Sequence, residues 1–234
     1  MIGGFPHRYE DSFFHLALEQ LRRETRHHLL PSQFTFGGFP ITRVAKHLAA
    51  RGLAAKPHVV VLQFGSSDLV VPLRRRHKSH GDGISAVSRT VSANSPSGLD
   101  QLKWQVRGLV GDGLALKSVT PPETYLATLV QLAQTLLDHQ VLPVVMSPFV
   151  FGDRRSDRLA RDCARRLQDL LAALLKAVYV DAYSALDRQP RSRMLLSDGS
   201  HLSLAGHQVV GQCLFTSLKQ LVESESRVIK PSSA

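Results

Sequence analysis

The chain has 234 residues, 43% of them apolar, and carries ten more Lys and Arg than Asp and Glu, which suits one large domain with a substantial core. No run approaches the roughly 18 apolar residues of a membrane span, and "MIGGFPHRYEDSFF" has neither the apolar core nor the cleavage pattern of a signal peptide, so the expected compartment is the cytoplasm. The positive charge admits an anionic partner, but no basic stretch interleaved with aromatic residues points to a nucleic-acid module.

Residues 12 to about 27 put Phe13, Phe14, Leu16, Ala17 and Leu21 at helical spacing, with Asp11 or Ser12 as cap. "SQFTF" (32–36) reads as a short strand broken by Gly37 and Gly38. Pro40 suits the first turn of a second helix through Arg51, with Val44, Ala45 and Leu48 inward. "HVVVLQF" (58–64) is a continuous apolar, largely β-branched run, the pattern of a strand buried on both faces of a parallel sheet. A helix is predicted from Pro122 to about His139, burying Leu126, Leu129, Val130, Ala133 and Leu137. The strand "VLPVVMSPF" (141–149) follows. An amphipathic helix over 157–177 then turns Leu159, Cys163, Leu167, Leu170 and Leu174 inward. "VYVDAY" (178–183) reads as another strand. Ser203 heads the last helix, expected to run to about Val222, and residues 224–234 read as a frayed tail.

Strands alternating with helices specify an α/β domain, a parallel sheet covered on both faces. One domain is expected over 1–223, interrupted by an insertion at 72–120 that is too long for an ordinary connection. The insertion contains "RRRHKSH" and holds eight Lys and Arg against three Asp, so it is where an anionic partner would bind. Its first part, 74–98, reads as mobile. The stretch from Leu99 to Val110, with the single tryptophan, Trp104, reads as a helix. Cys163 and Cys213 fall in helical segments and read as reduced thiols. No Cys or His spacing suits a metal, and no G-x-G-x-x-G follows a strand, so no cofactor is expected.

In such sheets reactive groups gather beyond the C-terminal ends of the strands. The turns that follow predicted strands are Gly3-Gly4, Gly37-Gly38, Gly65-Ser66-Ser67-Asp68, Ser147-Pro148 and the segment from Asp198 to His201. In "SDGSHLSLAGH" (197–207), Asp198 stands three residues before His201, just ahead of a capped helix. One tight turn can bring that carboxylate to that imidazole. This is the pairing by which a histidine is held in the tautomer that takes a proton from an attacking oxygen.

The string "DGSHLS", followed by "AGH" and an apolar helix, resembles the last conserved block of the SGNH, or GDSL-type, hydrolases. The resemblance extends to a glycine block at Gly37-Gly38, to "GSSD" (65–68) after the central strand, and to "VVMSPF". It covers nearly the whole chain outside 72–120. It implies a three-layer, flavodoxin-like parallel sheet with helices on both faces. It also implies hydrolysis of an acyl ester of a small-molecule, carbohydrate or lipid-like ligand. By position His201 becomes the general base and Asp198 its orienting acid. The oxyanion donors fall on Gly38, with Gly37 as the neighbouring candidate, and on Ser67. Gly65 and Asp68 support that turn.

Two residues depart from the family. Ser67 stands where the family has asparagine, and its hydroxyl is a shorter donor than an amide. Phe5 stands where the family has its nucleophilic serine. Only Met1 and Ile2 precede that turn, too few for a core strand, so either the chain starts late or the strand is vestigial. Ser12, in "EDSFF", is the alternative nucleophile, although capping a helix is its other natural role. Ser66 and Ser67 are further candidates, and His207 reads as a structural helix residue. Two functions follow. One is an esterase built on Asp198 and His201. The other is a catalytically inactive protein of the same fold, holding an acylated or anionic ligand in the cleft or on the insertion.

Overall fold

A computed structural model describes residues 8–25, 29–34, 39–71, 118–174 and 176–228. Phe5, Gly37, Gly38, nearly all of the insertion (72–117), including the helix expected over 99–110, and residues 229–234 lie outside this set. Among the described residues three strands form a parallel sheet in the order β1 (Val59–Leu62), β2 (Leu142–Met146), β3 (Val178–Val180). Its register pairs Val61 with Val144 and Val144 with Val178. The helices are α1 (Phe13–Glu24), α2 (Ile41–Ala54), α3 (Pro122–Asp138), α4 (Arg154–Ala172), α5 (Ala182–Asp187), α6 (Arg191–Met194) and α7 (Leu204–Val228). α2 packs on α3 and α3 on α4, with α3 against β2 and α4 against β3, while α1, α5 and α6 gather around α7, which also meets β3. The result is a three-layer α/β fold.

Short polar side chains start these helices by accepting orphan N–H groups of the first turn. Ser12 Oγ accepts from His15 N–H at 3.3 Å, Asp153 from Ser156 at 2.9 Å, Asp181 from Ser184 at 3.0 Å and Ser203 from Gly206 at 3.1 Å. The Asp181 cap corrects the strand expected over 178–183, because it turns the chain into α5 after only three strand residues. The Asp153 cap likewise starts α4 ahead of the expected residue 157. Residues 32–34 of the strand expected at 32–36 carry no regular structure. α7 continues past its expected end to Val228.

β2 lies between two partners, and Val144, Val145 and Met146 are wholly buried. β1 pairs on one side only among the described residues, so Val59 stays exposed and full burial falls on the second strand, not the first. The buried face of α3 is also rotated from expectation. Tyr125, Leu132 and Leu136 join Leu126, Leu129 and Ala133 in the core, while Val130 and Leu137 are only half-buried. On α4, Leu171 is buried and Leu170 faces out. Both cysteines are free thiols, and burial pushes that of Cys163 up to about 12. Among the described residues no helix is long and apolar enough to cross a membrane.

The end of β1 shows how tightly the C-terminal edge is packed. Gly65 has φ +122°, and a Cβ there would lie 2.7 Å from Pro148 Cβ and 3.2 Å from the Tyr125 hydroxyl. Tyr125 in turn donates to the Phe64 carbonyl at 3.2 Å. Gly65→Ala therefore combines overpacking with a strained backbone, and a loss of at least about 2 kcal/mol is expected. The check is a lower urea midpoint at unchanged slope.

Candidate active site

The 198–201 turn is shaped by its own acid. Asp198 Oδ1 accepts the Ser200 N–H at 2.9 Å and the His201 N–H at 3.0 Å. Gly199 N–H donates to the Leu196 carbonyl at 2.9 Å, and Leu196 N–H to that of His201 at 2.8 Å. An antiparallel bridge between Leu195 and Leu202 closes the loop, and the Ser203 cap then launches α7. This winding swings the His201 ring onto the second carboxylate oxygen, so that Nδ1–H donates to Asp198 Oδ2. Nε2 is then the basic nitrogen. The pair is accessible from solvent, with side-chain exposures of 38% for His201 and 25% for Asp198.

The charges of the pair support one another. Burial alone would raise the Asp198 carboxyl. The hydrogen bonds from the His201 ring and from the Ser200 and His201 amides outweigh burial and hold it at about 2. The hydrogen bond to Asp198 raises the His201 imidazole above its ordinary value, against the opposing effect of burial.

Contacts between loops place the other turns on the same edge. The loop that leaves β2 touches the turn after β1 where Gly65 meets Pro148. Four residues on, Gly152 N–H donates to the Gly199 carbonyl at 2.7 Å, and a Cβ on Gly152 would lie 3.0 Å from Gly199 Cα. Gly199 itself has φ +67°. The Gly65–Asp68 turn and the 198–201 turn thus flank one loop, 147–153, at the C-terminal edge of the sheet.

Ser67 is half-buried and Ser66 exposed on the first of these turns. Asp68 points inward and is 1% exposed. Its Oδ1 accepts the Ile41 N–H at 2.9 Å and the Thr120 hydroxyl at 2.7 Å. It therefore caps α2, whose own N-cap is Pro40, and ties down the chain where it returns from the insertion. Burial raises the Asp68 carboxyl, with the bonds from Thr120, Ile41 and Gly65 only partly offsetting it.

Ser12 is buried as the cap of α1. The histidine that meets this turn is His207, whose Nδ1 accepts the Phe13 N–H at 3.2 Å and whose ring stacks on Phe13. Phe13 also packs edge-on against Phe149 of the loop after β2 at 5.7 Å, so α1 begins at the same edge. The structure thus brings together Asp198 and His201, and sets Gly65, Ser67 and Asp68 on the neighbouring turn. Gly38 and Phe5 lie outside the described residues. Sequence reading missed Gly152 and Gly199, whose signal was a glycine in each of two loops leading to capped helices. Among the described residues no group of three or more His, Cys, Asp or Glu side chains could hold a metal ion.

No protein-family profile and no curated protein matches the chain, but solved structures do. A protein from Desulfitobacterium hafniense DCB-2 assigned to the G-D-S-L family of lipolytic proteins superposes with a TM-score of 0.58 at 13% identity, over 92% of this chain and 96% of that one. A lipase/acylhydrolase from Enterococcus faecalis gives 0.60 at 16% identity, over 95% and 88%. An acetylxylan esterase from Geobacillus stearothermophilus gives 0.57 at 14%, over 88% and 80%. The chain therefore has the SGNH-type hydrolase fold, in a sequence far diverged from these structures.

Asp68 supplies a test of the turn's architecture. Asp68→Ala leaves the buried Ile41 N–H and Thr120 hydroxyl without their acceptor and should cost roughly 2 kcal/mol or more. Asp68→Asn keeps an acceptor in place and removes a charge that burial disfavours, so its loss should stay below about 1 kcal/mol. Paired urea unfolding curves decide between them.

Proposed function

We propose that this protein is an ester hydrolase of the SGNH type, removing an acyl group from a carbohydrate or lipid-like substrate. The observation that carries this reading is the hydrogen bond between Asp198 and His201 on an accessible turn at the C-terminal edge of a parallel sheet. The likeness in fold to lipolytic proteins and an acetylxylan esterase supports it. In this reading Asp198 keeps the imidazole proton on Nδ1, and His201 Nε2 is the general base. The Gly38 N–H and the Ser67 hydroxyl hold the developing oxyanion.

We assign the attacking oxygen in this reading to water: Phe5 has no hydroxyl, that of Ser12 is 2% exposed beneath the α1 cap, and Ser67, on the turn it shares with Ser66, is taken as the oxyanion donor. Water adds to the ester carbonyl carbon as its proton passes to His201 Nε2. The tetrahedral oxyanion then collapses, the bond to the alcohol oxygen breaks, and the imidazolium returns the proton to the leaving alkoxide. Acid and alcohol depart with no acyl-enzyme formed.

Turnover of p-nitrophenyl acetate and acetylated xylo-oligosaccharides should fall at least about 100-fold in His201→Ala. Because Asp198 raises the imidazole and the base must be neutral, kcat/KM should climb with pH through a midpoint above 6.5. Asp198→Asn should lower both the plateau and that midpoint. Binding of acylated ligands with no turnover at any pH would support the inactive reading instead.

Phe5→Ser should raise turnover and make the protein labelled by a fluorophosphonate, both effects vanishing with His201→Ala. Ser12→Ala should leave turnover unchanged while costing about 1 kcal/mol of stability. Labelling of the unmodified protein that disappears with Ser12→Ala would make Ser12 the nucleophile and overturn direct attack by water.

A further inference from the structure

The loop between the two turns is gripped from behind by an ion pair that the hydrolysis itself does not use. Asp157, in the first turn of α4, is 5% exposed. Its Oδ1 accepts the Phe151 N–H at 3.2 Å and the Tyr183 hydroxyl at 3.0 Å. Its Oδ2 accepts from Arg191 Nη2 at 2.7 Å. Arg191, at the head of α6, donates through Nη1 to the Phe151 carbonyl at 2.7 Å. Both backbone polar groups of Phe151 are thus held by one acid–base pair. Nη2 also meets the Asp187 carboxylate at 2.8 Å, and that side chain is more exposed.

Phe151 immediately precedes Gly152, whose N–H holds the Gly199 carbonyl at 2.7 Å. Gly199 lies between Asp198 and His201. The two backbones meet with no side chain between them, so a shift at Phe151 passes directly to the turn. Packing this close transmits displacement instead of absorbing it. We propose that Arg191 and Asp157 are positioning residues for the Asp198–His201 pair, acting through Phe151, Gly152 and Gly199. The kinetic arm of this inference rests on the esterase reading; the geometric arm does not.

The readouts are the low-field proton resonance of His201 Nδ1–H, assigned by its loss in His201→Gln, and the His201 titration followed by NMR. Arg191→Met should weaken or abolish that resonance and move the midpoint down toward 6.5, because the imidazolium loses its well-placed carboxylate. Asp157→Asn, of nearly the same shape, should do the same. Arg191→Lys keeps the charge without the two-armed grip, and serves if the methionine variant does not fold. Asp187→Ala removes the outer partner of Arg191 without touching Phe151 and should leave both readouts unchanged. If esters are hydrolysed, kcat should fall roughly ten- to hundredfold with KM within about threefold, the signature of a misplaced base. Folded Arg191→Met or Asp157→Asn protein with an unaltered resonance and midpoint overturns the proposal. A response in both readouts without turnover of any ester sustains it and removes the esterase reading.

Discussion

Two contacts too close for side chains hold the working edge of this sheet. At one, Gly65 meets Pro148; at the other, Gly152 meets Gly199. Parallel strands deliver the loop that follows each of them to the same edge, where these loops must share a small area without leaving backbone groups unpaired. Glycine lets the loop after β2 lie directly on its neighbours, so it serves as the common floor for the turns on either side. The Asp198–His201 turn has little regular structure of its own, and its closing bridge is a single pair, Leu195 and Leu202. It owes its place to that floor.

Two carboxylates on this edge show how burial and hydrogen bonding sort roles. Asp198 receives two amide N–H groups and an imidazole N–H, and stays an anion down to about 2. An anion so well satisfied favours the imidazolium and fixes the tautomer, which is what an orienting acid must do. Asp68 is bonded by the Thr120 hydroxyl and by the Ile41 and Gly65 backbone but by no imidazole, and there burial wins and raises it. It works as a clamp on α2 and Thr120. The difference comes from the kind of donor and from exposure: Asp198 has the imidazole and keeps contact with solvent, while Asp68 is 1% exposed.

Much of this was legible in the sequence because it is local. Helix caps such as Ser203, the three-residue spacing of Asp198 and His201, and the apolar run of β2 are all written within a few positions of one another. What escaped depends on contacts between segments far apart. Asp157 sits among arginines in "RRSDRLARDCARR" and reads as part of a solvated charged face, yet it is buried. Its partners, Arg191, Tyr183 and Phe151, come from two other helices and a loop. The α3 face rotated for a related reason. A helix covered by a strand and by helices on two sides has no single polar face, so Tyr125 and Leu132 cannot be told from Val130 and Leu137 by periodicity alone. The false strand end in "VYVDAY" shows local signals in competition. Tyr183 has strand propensity, but the carboxylate of Asp181 reaches the Ser184 amide and fixes a helix start first.

The surroundings of Ser12 are what favour water over this serine in the proposed reaction. Its oxygen already accepts the His15 N–H, and the next residue, Phe13, is fixed three ways: its amide on His207, its ring against that imidazole, and its edge against Phe149. To reach a substrate carbonyl the Ser12 hydroxyl would have to leave the cap, which costs about 1 kcal/mol, and also leave a pocket in which it is 2% exposed. The second requirement is the larger, because the three contacts of Phe13 would have to loosen with it. A group that reacts with a substrate must be held in place yet reachable. Ser12 is held but not reachable, whereas His201 is both: pinned through Nδ1 to Asp198 and open enough at the surface to meet a ligand.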